Sequence, residues 1–264
     1  HLAPDLRRVC GKLMAKSMLR VERLRKSFGG VVATDQVSID FPAESLTAVI
    51  GPNGAGKTTF FNLITGAIRP DEGEVWLDGE NIVGCSESEI VKKGIGRAFQ
   101  VAKLFASLTV EESLRGALQS PLGRSLQMHG SFPLQQTRDR AFEVMEQLGL
   151  DSKATTVAGN LSHGDQKLLD IALALVLKPK VLLLDEPVAG MGPEEREQMI
   201  DTVHRLWQKG GLTIVLIEHD MDIVFRVSQR IHVLSYGRLL AEGTAEEIRT
   251  NQAVIEAYLG TPGA

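Results

Sequence analysis

Short apolar runs separated by turn residues open the chain, and the spacing later switches between strand and helix periods. Leu19–Leu24, Gln36–Phe41 and Leu46–Ile50 are β-type runs, with a Gly29-Gly30 turn between the first two. They predict a small antiparallel sheet feeding a central strand. Thr58 to Ile68 has helical character and stops before Pro70, and Gly73–Leu77 followed by Asp78-Gly79 predicts a further strand and a tight turn. From about Gln100 to Gly159 the pattern changes. Amphipathic helices are predicted over Thr109–Gln119 and Leu134–Leu148, separated by a Gly-, Pro- and Ser-rich piece from Ser120 to Pro133. This stretch reads as a helical insertion in an α/β core. A long apolar helix is expected over Gln166–Leu177. From Val181 strands and helices alternate: strand 181–184, helix 193–208, strand 212–217, helix 220–228, strand 231–234. That alternation implies a mostly parallel sheet. A last helix, Ala245–Tyr258, is predicted after it, and there is no repeat at solenoid spacing.

The 264 residues can bury a proper core, as one large domain or one domain with a sizeable insertion. Apolar residues at 43% and charged residues at 23% are ordinary for a globular protein. No apolar run approaches the roughly 18–20 residues that span a bilayer; the longest, Leu168 to Leu177, is interrupted by Asp170. The chain is therefore expected not to cross a membrane itself, although it could sit against a membrane protein. A net charge of −4 argues against coating nucleic acid. The basic residues within 1–30 read as a solvated face. Cys10 and Cys85 lie far apart without metal-like spacing, which fits a reducing cytoplasm. Residues 1–17 lack the apolar segment of a secretory signal and precede the domain pattern, so they read as an extension or cloning remnant.

The chemistry lies at the ends of the predicted strands. Gly51-Pro52-Asn53-Gly54-Ala55-Gly56-Lys57-Thr58-Thr59 follows a strand and opens a helix, the context that a phosphate-binding loop requires. Its glycines let backbone N–H groups approach phosphates, and the helix N-terminus adds positive potential. Lys57 is placed to reach the β/γ oxygens, and Thr58 to ligate Mg²⁺. Val181–Leu184 delivers Asp185 and Glu186 to a strand end, where open α/β sheets bind ligands. Asp185 is the expected Mg²⁺ ligand through its water shell, and Glu186 the group that polarises the attacking water. Gln100, at the junction of core and insertion, reads as a γ-phosphate sensor that touches Mg²⁺ or water. His219 follows the strand Leu212–Ile217 and reaches the same edge. Leu161-Ser162-His163-Gly164-Asp165 precedes the helix 166–177. Ser162 can cap that helix, or, with the Gly164 N–H and the helix dipole, form a second anion site. One chain has no use for a second anion, so this site points to the γ-phosphate held by a partner subunit.

This order of motifs resembles that of ATP-binding cassette (ABC) ATPases over essentially all of 18–260. The resemblance implies an α/β fold with a RecA-like P-loop core of mostly parallel sheet and an N-terminal antiparallel β-subdomain, the two together over about 18–99 and 160–243. It adds a helical insertion subdomain (about 100–159) and a C-terminal helix (about 245–259). It also implies ATP hydrolysis with Mg²⁺, adenine stacked on Phe28, and nucleotide held by residues 51–59 of one chain and Ser162, His163, Gly164 and Asp165 of another. Glu186 would activate water, with Lys57, His219 and Gln100 as its catalytic companions. The expected partners are transmembrane permease subunits, a second ATPase subunit (an identical copy or a paralogue) and, indirectly, a substrate-binding protein. The expected place is the inner face of the cell membrane.

Gly96-Arg-Ala-Phe-Gln100, Leu104–Val110, Glu218-His-Asp-Met221 and Ile255-Glu-Ala-Tyr-Leu-Gly260 look like branched-chain amino-acid importer subunits. His163 and Pro187–Met191 are also similar to urea and short-amide importers. Two departures stand out. The signature reads Ser-His-Gly-Asp where Ser-Gly-Gly-Gln is commoner, and Gly192 replaces the Asp that most cassettes carry, a replacement frequent in the branched-chain subfamily. Among rivals, a lipopolysaccharide-export cassette is disfavoured by the 120–133 piece and His163. A DNA- or ribosome-directed cassette would want a basic face, tandem cassettes or a coiled coil. A GTPase would want Asn-Lys-x-Asp, which is absent, and a small-molecule kinase has no need of the signature helix. A non-catalytic binding module is disfavoured by Glu186.

Overall fold

The computed structural model describes residues 16–98, 106–119 and 134–259. Two sheets share the load. The first is antiparallel and pairs β1 (Ser17–Phe28), β2 (Val31–Pro42), β4 (Glu72–Leu77) and β5 (Glu80–Asn81) in the order β2-β1-β4-β5. The second runs β10-β9-β3-β8-β7-β6, where β3 is Leu46–Ile50, β6 Ile95–Ala98, β7 Val181–Asp185, β8 Thr213–Ile217, β9 Arg230–Ser235 and β10 Arg238–Gly243. Neighbours from β9 to β6 are parallel, and only the β10 edge is antiparallel. The α/β architecture expected from the alternation of strands and helices is therefore present.

Central strands of this sheet read as unbroken apolar runs because both faces are covered. Along β7, Val181 and Leu183 point into one core with α1 (Lys57–Ile64) and the antiparallel sheet. Leu182 and Leu184 point into the other, with α3 (Val110–Gln119), α4 (Leu134–Leu148), α5 (His163–Leu175) and α6 (Pro193–Gln208). The same alternation splits Val215 and Ile217 from Ile214 and Leu216 on β8. A third cluster joins Ala48, Ile50, Ile231 and Val233 to α7 (Met221–Val227), α8 (Ala245–Arg249) and α9 (Gln252–Leu259).

Local chemistry shifts several boundaries. The helix expected over Thr58–Ile68 ends at Ile64, because Gly66 takes a left-handed φ of 75°. The terminal helix expected over Ala245–Tyr258 is two helices. Asn251 breaks it, its side-chain oxygen accepting the Ala253 N–H at 3.0 Å to start α9. The helix after the signature begins at His163, with Ser162 as its cap. β1 starts at Ser17, paired with Pro42. Four strands and helices were not anticipated: β5, β6, β10, and α2 (Glu87–Lys93), which a Ser86/Glu89 capping box starts and left-handed Gly94 stops. All four are short and lack a distinctive apolar period.

Candidate nucleotide site

Sheet register builds the site. Ile217 on β8 lies opposite both Val49 on β3 and Asp185 on β7. The three strand ends are therefore level, and the residues that follow them, Gly51 after Ile50, Glu186 after Asp185 and Glu218-His219 after Ile217, emerge on one edge.

The loop 51–56 leads from β3 into α1. Gly56 caps α1 at φ 95° with no side-chain hydrogen bond, unlike α2, α5, α7 and α8, whose caps are Ser86, Ser162, Asp220 and Thr244. The first-turn N–H groups of α1 thus lack the side-chain acceptor that those four helices supply, and suit an anion. A Cβ on Gly56 would sit 2.2 Å from the Ala33 carbonyl oxygen, so only glycine fits. Lys57 donates to the carbonyls of Gly51 at 2.6 Å and Pro52 at 3.1 Å. Burial pushes the Lys57 amine below the usual lysine range, opposed by the nearby Glu186 and Asp185 carboxylates. Asn53, Gly54 and Thr58 are exposed, Ala55 is buried, and Thr59 is half-buried. This donor set and glycine cradle fit a polyphosphate. Phe28 is 46% exposed at the tip of the β1–β2 hairpin, with the Lys26 amine 5.6 Å from its ring centroid. Ala33 of β2 touches the loop at Gly56, which puts an exposed aromatic on the strand pair beside it.

Glu186 takes a left-handed φ of 48°, rare for a non-glycine residue. Its N–H donates to Ile217 O at 2.9 Å, and its carbonyl accepts from Lys167 Nζ at 2.8 Å. The His219 ring Nδ1 lies 3.6 Å from its carboxylate. Asp185 accepts from Arg97 at 2.8 Å, and the other arm of Arg97 reaches Asn62 on α1 at 2.7 Å. Arg97, Lys167 and the buried Glu218 are site neighbours that the sequence reading did not single out. Arg97 lay within the stretch that carries Gln100, and Glu218 immediately precedes His219. Gln100 itself lies outside the described residues.

The structure brings Lys57, Asp185, Glu186 and His219 together. The signature stands on another element, the head of α5, whose Lys167 reaches the Glu186 carbonyl. Ser162 and His163 are exposed at the head of α5, where Ser162 accepts the Asp165 N–H at 3.1 Å and donates to the Asp165 carboxylate at 2.8 Å. His163 Nε2 lies 3.3 Å from the Ala189 carbonyl, which links the signature to the turn after Glu186. Tyr258 of α9 lies beside the Gly51 backbone, and burial pushes its hydroxyl up to about 12.

A glycine loop opening a helix, with carboxylates and an imidazole at adjacent strand ends, defines a P-loop nucleoside triphosphatase. Comparison with known proteins narrows the class. The ABC transporter family matches residues 34–189, and a branched-chain amino acid ATP-binding cassette transporter model matches 238–264. The high-affinity branched-chain amino acid transport ATP-binding protein LivG of Escherichia coli is 40% identical over 253 residues, covering 94% of this chain and 99% of LivG. A nucleotide-free ATP-binding cassette from an ABC transporter superposes with TM-score 0.81 at 35% identity, covering 92% of this chain and 99% of that one. A bacterial ABC transporter cassette solved as a dimer gives TM-score 0.74 at 26% identity over 86% of this chain and 99% of that one. The chain belongs to the ABC transporter family and is an ATP-hydrolysing subunit of it.

Proposed function

We propose that the chain hydrolyses Mg²⁺-ATP as one of two cassettes closed over shared sites, and so energises a permease that imports branched-chain amino acids. The observation that carries the reading is the level strand edge on which Lys57, Asp185, Glu186 and His219 converge. Amino-acid import is supported by the match over 238–264 and by the similarity to LivG.

Each residue has a role that its geometry favours. The N–H groups of loop and helix α1 hold the β- and γ-phosphates, Lys57 offsets their charge, and Phe28 stacks on the adenine. Thr58 and Asp185 would hold the Mg²⁺, which supplies charge neutralisation at the transferring phosphoryl group. Glu186, its backbone fixed by Ile217 and Lys167, orients the attacking water and takes its proton. His219, beside Glu186, reaches the γ-phosphate, and Gln100 is assigned as the γ-phosphate sensor from its place in the sequence alone. Ser162 to Asp165 would contact the nucleotide of a second copy or a paralogue. Among the described residues no helix is long and apolar enough to cross a membrane. A permease of separate chains would therefore supply the path, with this subunit on its inner face.

Glu186→Gln keeps the carboxylate's shape without its basicity. Turnover should fall by about 10²–10⁴-fold while Mg²⁺-ATP binding persists and a dimer accumulates on size exclusion. Unchanged turnover would overturn the assignment of Glu186.

A further inference from the structure

The signature of this chain carries a carboxylate at the place where a phosphate should arrive. Ser162 has one hydroxyl proton, and it is given to Asp165 Oδ2 at 2.8 Å. The Ser162 oxygen is also taken, as the acceptor for the Asp165 N–H at 3.1 Å. Glu195 of α6 adds a second carboxylate on the same side, since a Cβ built on Gly164 would lie 3.4 Å from its Oε1. An anion approaching Ser162 would meet two like charges and a hydroxyl already committed, offset in part by the α5 N-terminus.

One cation answers this. Lys153 Nζ lies 2.5 Å from the same Asp165 Oδ2 that holds Ser162. It comes from outside α5, on the 3₁₀ turn Asp151–Lys153 that follows α4. Its backbone is pinned: its N–H donates to Leu150 O at 3.0 Å and its carbonyl accepts from Thr156 at 2.9 Å. Buried Leu150 and Ala154 anchor the turn on either side.

We propose that Lys153 is a positioning residue of the nucleotide site: by neutralising Asp165 it frees the Ser162 hydroxyl to bind the terminal phosphate of an ATP held by a second cassette. This rests on the reading of the signature as half of a shared site. When the hydroxyl proton turns towards phosphate, Lys153 keeps Asp165 Oδ2 occupied and cancels its repulsion. A neutral glutamine at 165 would need no such cation, so Lys153 and Asp165 form one unit.

The test uses the full chain carrying Glu186→Gln, with Mg²⁺-ATP titrated and dimer followed by sedimentation. Lys153→Met should raise the ATP concentration for half-maximal dimer by about fivefold or more, the scale of a partly exposed charge pair. Lys153→Arg, which keeps the charge, should stay within about twofold of the parent. On an Asp165→Asn background, Lys153→Met should shift the midpoint by no more than about twofold relative to Asp165→Asn alone. The midpoint of thermal unfolding of each variant separates this effect from misfolding. Equal losses with and without Asp165, or no loss at all, would overturn the role of Lys153. A parent chain that stays monomeric in Mg²⁺-ATP would instead overturn the shared site, and this inference with it.

Discussion

Glu218 is a fully buried carboxylate one residue before His219, and it joins two segments of the site. It accepts the N–H of Val188, two residues beyond Glu186, at 3.3 Å and the N–H of His219 at 3.2 Å. Burial raises its pKa above the ordinary 4.5, opposed by those two N–H donors. A carboxyl whose folded pKa is raised stabilises most below its unfolded pKa, and that stability is lost as pH rises through the folded value. Glu218→Gln keeps an acceptor that cannot ionise, so its stability relative to the parent should improve as pH rises above 4.5, read from urea midpoints across pH. A pH-independent difference would show that Glu218 does not titrate in that window. Residues of this kind were hidden in the sequence because their roles are set by burial, not by type. Glu186 and His219 were legible, since each follows an apolar strand that has only one edge on which to end. Arg97 was not, since nothing in Gly96-Arg97-Ala98 says that its guanidinium will bridge Asp185 and Asn62.

At the scale of the element, the loop and α1 show why two glycines of one motif are not equivalent. A Cβ on Gly54 would meet nothing within 4 Å, although its φ of 79° is left-handed. Gly56 has the same kind of φ, 95°, and would in addition drive a Cβ into the Ala33 carbonyl. Gly54→Ala should therefore cost about 1–2 kcal/mol from backbone strain alone. Gly56→Ala should cost more, and should also weaken ATP binding by displacing the start of α1. Urea midpoints and nucleotide titration check both, and equal costs for the two variants would contradict the geometry. Elements with strong periods were legible: β3, β7 and β8 as apolar runs, and α3, α4 and α6 as amphipathic stripes. The short ones were not. α2 depends on a Ser86/Glu89 box whose side chains declare a helix only once both are seen to bond. The break at Asn251 likewise competes with a helical pattern that continues on both sides of it.

At the scale of the molecule, the two halves of the inferred site stand on different elements. Lys57, Asp185, Glu186 and His219 share the sheet edge, whereas Ser162 and His163 sit exposed at the head of α5. If sites are completed between copies, Lys57→Ala and Ser162→Arg chains should each turn over poorly alone. Their mixture should then recover activity, through dimers with one intact composite site, up to about a quarter of the parent by random pairing of the chains. Normal turnover by either variant as a monomer would contradict the shared site. The sequence by itself determined the α/β class, the loop, the strand-end carboxylates and the family resemblance. These follow from local period, steric need for glycine and the residue types that phosphate chemistry demands. Only tertiary structure decided the strand order that makes Ile217 the common neighbour of Val49 and Asp185. It alone placed Arg97 on Asp185, Glu218 between Val188 and His219, and Lys153 on Asp165. Apart from the adjacent Glu218 and His219, those pairings join residues 12 to 88 positions apart, and the packing of two cores against a single sheet selects them.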